Sequence, residues 1–142
     1  MAVEIKILGR GDEQVLANIA AEVFDKKIDK QLSSEFLSDL RHHLAVAIES
    51  GQVVGFVSAV HYVHPDKSPE LWINEVSVTS THRNQGLGKQ LLYAMFEAGR
   101  AVGCSEAWVL TDRSNTRAMR LYLSAGGTEF PRDQVMFTFK LR

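Results

Sequence analysis

Two glycines and two cations are crowded into the stretch Val76-Ser77-Val78-Thr79-Ser80-Thr81-His82-Arg83-Asn84-Gln85-Gly86-Leu87-Gly88-Lys89. An apolar strand pattern ends there, a polar turn follows, and the helical spacing of Leu87, Leu91, Leu92, Met95 and Phe96 begins. Backbone N–H groups at a helix start have no intrahelical partner and sit at the positive end of the helix dipole. Glycine keeps side chains out of an anion's path, and Arg83 and Lys89 add formal charge, so the stretch reads as a phosphate cradle. A plain turn shaped by Gly86 and Gly88 is the other reading of the same residues. Two familiar phosphate motifs fail on spacing. Arg83 occupies the first glycine position of a Walker loop and Gln90 its Ser/Thr position, while Leu91 stands where a dinucleotide fingerprint needs its third glycine.

The elements that must hold this cradle alternate along the chain. Val3, Ile5 and Ile7 predict a first strand, and Val15, Leu16, Ile19, Ala20, Val23 and Phe24 a helix capped by Asp12. A second helix is predicted from Ser33 or Ser34 through Phe36, Leu37 and Leu40, after a charged loop, Asp25 to Gln31. Leu44 to Ile48 and Val53 to Val63 flank a hairpin turn at Glu49-Ser50-Gly51-Gln52. Leu71 to Val78 is the strand before the cradle; Ala107 to Leu110 is a short apolar strand. Ala118, Leu121, Tyr122 and Ala125 mark a last helix, and Val135 to Leu141 a closing strand. The order βααβββαβαβ predicts an α+β fold with a mixed, mostly antiparallel central sheet flanked by about four helices.

Composition narrows the class. The 142 residues are the size of one domain, 1–142, and no linker or repeat divides them. Sixteen basic against seventeen acidic residues leave a net charge of −1, which argues against a nucleic-acid partner. No run approaches the ~20 apolar residues of a membrane span, so no membrane partner is expected. The one cysteine, Cys104, forbids an intrachain disulfide and fits a cytoplasmic protein. The histidines give no metal spacing: His61 and His64 point to opposite faces of a strand, His42 and His43 are adjacent, and no Cys/His pair has zinc spacing. No metal is expected.

The Arg-x-x-Gly-x-Gly pattern at Arg83 to Gly88 resembles the acyl-CoA motif of the GCN5-related N-acetyltransferase (GNAT) superfamily. A second match lies in Asn115-Thr-Arg-Ala118-Met-Arg-Leu121-Tyr122-Leu-Ser-Ala-Gly126, and the element order agrees over essentially the whole chain. Gly127 departs from the family, which usually has phenylalanine there. The resemblance implies acetyl-CoA as cofactor, with Arg83, Asn84, Gln85, Gly86, Leu87, Gly88 and Lys89 around its pyrophosphate. Backbone groups of Val76 and Val78 would bind its pantetheine arm in a gap beside their strand, and Asn115 would hydrogen-bond the same arm or simply cap the last helix. It further implies direct transfer of acetyl to a primary amine, with Glu75 as general base. Tyr122 would be the general acid, because a phenol near pKa ~10 can protonate a thiolate whose acid lies near ~8.5.

A closer likeness, to type I aminoglycoside 3-N-acetyltransferases, is carried by Pro69-Glu70-Leu71-Trp72-Ile73-Asn74-Glu75-Val76-Ser77-Val78, by His82 to Gly86, and by the ending at Val135-Met136-Phe137. It implies a polycationic aminoglycoside acceptor, hence antibiotic resistance, with Glu70, Glu75 and Asp112 as substrate-binding carboxylates. Asp25, Asp29, Glu35 and Asp39 are further acidic candidates. The alternatives are another small cationic amine (a polyamine, an amino-acid derivative or a protein N-terminus) or a non-catalytic acyl-CoA-binding module. A homodimer is compatible with the resemblance.

Overall fold

In a computed structural model the described residues are 2–130 and 133–142. The strands are β1 (Glu4–Leu8), β2 (His42–Glu49), β3 (Gln52–Tyr62), β4 (Glu70–Val78) and β5 (Glu106–Val109); the helices are α1 (Lys30–Ser38), α2 (Leu87–Ala101) and α3 (Thr116–Ser124). Short 3-10 turns cover Glu13–Ala17 and Ser80–His82. The five strands form one sheet in chain order, β1-β2-β3-β4-β5. Neighbours are antiparallel except β4 and β5, which are parallel and joined through α2, the crossover a parallel pair requires. The α+β class and the mixed, mostly antiparallel sheet are as the sequence predicts.

Each face of the sheet has its own core. α2 lays Leu87, Leu91, Leu92 and Met95 on Ala45, Ala47, Val57, Ala59, Leu71 and Ile73. Leu37 of α1, with Leu16 and Val23, covers Leu44, Val46 and Phe56 on the opposite face. Leu44 to Ala47 are therefore buried without alternation, as a strand covered on both faces must be. Ser50 and Gly51 take positive φ (50° and 78°), the geometry of a type I′ hairpin.

Three elements differ from expectation. Val15, Leu16, Ile19, Ala20, Val23 and Phe24 do sit in or against the second core, but only Glu13–Ala17 is helical, as a 3-10 turn. Beyond it Ile19 bridges Val53, and Ala20 N–H and Asn18 C=O pair with the Val53 backbone. Edge pairing satisfies the groups a helix would have used; periodicity reported burial, not conformation. The next helix starts earlier than Ser33, because Asp29 caps it, accepting from Leu32 N–H at 2.9 Å. Val135 to Leu141 forms no strand, and the described residues 133–142 carry no regular structure. β5, the edge strand nearest in sequence, pairs only with β4, and a strand without a partner leaves its backbone to water. No helix among the described residues is long and apolar enough to cross a membrane.

Candidate active site

The site is organised by a defect in β4. Pairing with β3 slips between Ser58 and Ala59, so that Ser58 faces Glu75 while Ala59 faces Ile73. Asn74 is the extra residue of a β-bulge, and a bulge reverses which face later residues point to. Before it, Leu71 and Ile73 point to α2; after it, Val76 and Val78 do. Glu75 and Ser77 consequently point to the α1 face, where Ser77 Oγ donates to Glu22 O at 3.2 Å. In an unbulged strand the Glu75 carboxylate would be aimed into the α2 core.

Beyond the bulge β4 also loses its other neighbour. Its pairing with β5 ends at Ile73↔Val109, which leaves a gap beside residues 74–78. Thr79 N–H donates to Val54 O on the β3 side. Strand N–H groups alternate in direction, so those of Val78 and Val76 point into the gap. Arg83 Nε donates to Val78 O at 3.1 Å from that same side.

A cavity of about 440 Å³ opens there, between β4, the start of α2 and α3. Val76, Val78, Arg83, Asn84, Gly86, Leu87, Gly88, Lys89, Asn115 and Tyr122 all line it; Gln85, expected among them, does not. Ser77, His82, Arg117, Arg120 and Ser124, which sequence reasoning did not assign to the site, complete the lining together with Ala118 and Leu121. Among the described lining residues there is no carboxylate, against four Arg and Lys. Arg117 and Arg120 carried a readable signal: cations three apart share one helix face, just past Asn115.

The two glycines have different tasks. Gly86 is the N-cap of α2 with φ +78° and open space where a Cβ would stand, so the unpaired N–H groups of the first turn remain approachable. At Gly88 a Cβ would lie 3.1 Å from Leu121 Cδ2. Its missing side chain lets α3 lie close to α2 rather than clearing a path for an anion. Asn115 caps α3, its side chain accepting from Ala118 N–H at 3.1 Å, and it also lines the cavity.

A larger cavity, about 860 Å³, lies on the α1 side; Glu75 itself lines neither cavity, although its neighbours Val76 and Ser77 line the smaller one. The larger one is lined by Glu13, Glu22, Asp25, Lys26, Lys27 and Lys30, among others, and so has mixed charge. Partial burial, then the Asp25 carboxylate, push Glu75 above the usual carboxylate range. Burial likewise pushes the Tyr122 phenol up, so it keeps its proton at neutral pH. The larger cavity is latched to the phosphate turn: Thr79 Oγ1 donates to Ala21 O at 2.8 Å and Ser80 Oγ to Glu22 Oε1 at 2.7 Å. These bonds hold Glu22 at φ +69°, a conformation disfavoured outside glycine.

The other expected carboxylates lie elsewhere. Glu70, at the start of β4, meets His64 Nε2 at 2.7 Å. Asp112 follows β5, and its carbonyl accepts from Asn115 N–H. Neither lines either cavity. Of the histidines, His43 Nε2 and His61 Nδ1 share a hydrogen bond of 2.7 Å across β2 and β3. The expected tryptophan packing is a stack of Trp72 on Trp108, centroids 4.9 Å apart. Gly127 departs from phenylalanine for a visible reason: a Cβ there would meet Tyr122 O at 2.8 Å.

The chain is similar to N-acetyltransferase 8 of Rattus norvegicus, 31% identical over 96 residues, 67% of this chain and 43% of that protein. It is similar to L-2,4-diaminobutyric acid acetyltransferase of Oceanobacillus iheyensis, 39% identical over 61 residues, 43% of this chain and 33% of that protein. It thus spans less than half the length of these curated relatives. Among solved structures, an aminoglycoside acetyltransferase from an uncultured soil metagenomic sample, in complex with trehalose, shares the fold. Its TM-score is 0.83 at 22% identity, over 99% of this chain and 97% of that one. The model of the "Acetyltransferase (GNAT) family" matches residues 14–126. Proteins of that family use acetyl-CoA, and structural neighbours are solved with CoA bound. The cavity here fits such a group: an all-cationic charged lining, an open helix N-terminus and two strand N–H groups facing a gap. With that match running through both the phosphate turn and the Asn115 to Gly126 segment, the chain belongs to the GNAT family of acetyltransferases.

Proposed function

We propose that this chain transfers acetyl from acetyl-CoA to a primary amine of a polycationic small molecule, an aminoglycoside first among them. The observation that carries this reading is the position of Glu75. It is bulged out of the α2 core, adjoins the cationic cavity through Val76, and is coupled to the mixed-charge cavity through Asp25. The amine approaches from the α1 face and the thioester from the α2 face, and the gap beside β4 joins the two.

When bound, acetyl-CoA supplies the activated acetyl thioester. Arg83, Lys89, Arg117, Arg120 and the first N–H groups of α2 hold its phosphates. The N–H groups of Val76 and Val78, facing the gap beside β4, would hold its arm as an added strand is held, and that of Val76 would be the donor nearest the thioester oxygen. Glu75, its proton affinity raised, takes a proton from the incoming ammonium so that a lone pair is available. The Tyr122 phenol, which keeps its proton and lines the same cavity, would protonate the sulfur released as the amine nitrogen takes the acetyl group. Glu70 and Asp112, outside both cavities, act in this reading only through the long-range attraction of their charge for a cation. The likeness of Pro69 to Val78 to the 3-N enzymes supports the 3-amino group as target. One domain, 1–142, suffices for this chemistry in our reading, and the single cysteine supports a cytoplasmic setting.

A second acceptor is favoured by a specific observation. Lys26, Lys27 and Lys30 stand beside Glu13, Glu22 and Asp25 in the larger cavity, a lining suited to an amine that also bears a carboxylate. The diaminobutyric acid acetyltransferase named above supports a diamino acid as that alternative. Following free thiol release from acetyl-CoA with gentamicin, spermine and 2,4-diaminobutyrate separates the cases. Release with gentamicin, and an NMR shift of its 3-amino carbon, supports the aminoglycoside reading. Release with diaminobutyrate alone replaces it, and no release with any amine defeats both.

A further inference from the structure

The two largest side chains of the sheet belong to neither of its cores. Trp72 of β4 and Trp108 of β5 are register partners, and both are half-buried. Leu71, Ile73 and Val109 point to α2, so the two indoles, one residue away along their strands, point to the α1 face. The core on that face draws its strand residues from β1, β2 and β3 and takes none from β4 or β5. The indoles stack on each other instead, with centroids 4.9 Å apart and planes 13° apart. One face of each ring is covered by the other, and part of each still meets water.

Three carboxylates share this face. Glu70 and Glu106 are register partners two residues before Trp72 and Trp108. Glu75 lies beyond the bulge, about 10 Å of strand past Trp72. Glu70 is held by His64 Nε2 at 2.7 Å, and Tyr62 lies edge-on to His64 with ring centroids 5.3 Å apart. The indole pair is therefore bracketed by acidic residues along the strands, with the proposed general base at one end.

Stacking fixes both indoles before a ligand arrives, so little side-chain freedom is lost when they are used. A ring system of this kind takes the C–H face of a flat ligand, and a cation beside it is attracted by the ring quadrupole. A cyclic amine offers both features; an extended polyamine offers cations with little flat surface.

We propose that Trp72 and Trp108 form a platform for a second ring of the acceptor, a saturated ring bearing amines such as an amino sugar, while the amine to be acetylated lies at Glu75. This rests on the transfer reading above and adds what holds the far part of the acceptor. Charge selects the occupant, because Glu70, Glu106 and Glu75 favour a cation over an apolar or anionic partner. Continuity selects it too: the platform and Glu75 lie on one face of one strand, so one molecule touches both.

Cross-strand aromatic pairs also stabilise sheets, and the test includes readouts that such a role would not move. Trp72 and Trp108 are the chain's two tryptophans, so tryptophan emission of the full chain reports this surface alone. Without acetyl-CoA, gentamicin should change the emission saturably, and spermine at matched charge and ionic strength should not. By calorimetry, Trp108→Leu should weaken gentamicin binding about tenfold, and Trp108→Tyr should recover most of it. The acetyl-CoA KM and the circular dichroism spectrum should be unchanged in both variants. Equal responses to gentamicin and spermine would reduce the surface to a charge patch and overturn the proposal. So would Trp108→Leu binding gentamicin within about twofold of the unaltered chain, or emission shielded from acrylamide in the free chain, which means that another segment already covers the stack. Thiol release with gentamicin but no emission change overturns the platform and leaves the transfer reading standing. An emission change without thiol release does the reverse.

Discussion

The two cavities on either side of the β4–α2 junction are built in opposite ways. The smaller one, under α3, is walled by a strand, a helix start and a second helix, and its charges are of one sign. The larger one is walled by the irregular stretch between the Glu13–Ala17 turn and α1, and its charges are mixed. In the proposed reaction the pyrophosphate would be met by backbone N–H groups whose directions follow from helix and strand geometry, so a donor side needs regular elements. An acceptor is met by side chains on a segment held in place by three hydrogen bonds to the β4–α2 junction. The donor side is generic in design, and selectivity belongs to the irregular side.

Breaking the donor side should give the largest loss. Gly86→Asp puts a negative side chain at φ +78° into the space in front of α2. CoA binding by calorimetry should weaken more than about 100-fold, through both repulsion and strain. Tyr122→Phe removes the proton donor but little of the packing, and kcat should fall about 10- to 100-fold with CoA affinity kept. Arg117→Ala combined with Arg120→Ala removes cations that no regular backbone group replaces. It should raise the acetyl-CoA KM about tenfold with kcat nearly constant, and the defect should shrink as salt rises.

The acceptor side is probed most gently by Asp25→Asn. Asp25 raises the Glu75 pKa by disfavouring its anion. Neutralising it must lower that pKa, so the acid limb of the kcat–pH profile should move to lower pH. The alkaline limb, which the proposed mechanism assigns to Tyr122, should stay where it is, since burial and not Asp25 raises that phenol. An unmoved acid limb would separate Glu75 from the titration that limits turnover.

The same contrast explains what could be read from the chain. Arg83 and Gly86 were legible because a helix N-terminus with a left-handed glycine is a local event, encoded within a few residues. The hairpin at Ser50-Gly51 is local in the same sense. The direction of Glu75 was not, because it depends on a bulge at Asn74 set by how β3 and β4 register. Val15 to Phe24 carried the apolar spacing of a helix, and those residues are packed into a core. Backbone pairing with Val53, a residue more than thirty positions away, decided their conformation instead. Val135 to Leu141 has the pattern of a strand, but a strand also needs an edge to join, and alternation alone does not supply one.

The central claim is that Glu75, turned by the bulge away from the α2 core and within the field of Asp25, takes the proton of the acceptor amine. Glu75→Gln keeps the shape and removes the base. Measured by thiol release at saturating acetyl-CoA, its kcat should fall about 10²- to 10⁴-fold, while calorimetry finds CoA bound within about threefold of the unaltered chain. A variant that turns over within a few-fold of the unaltered chain at neutral pH would contradict the account, and would assign the proton to another group.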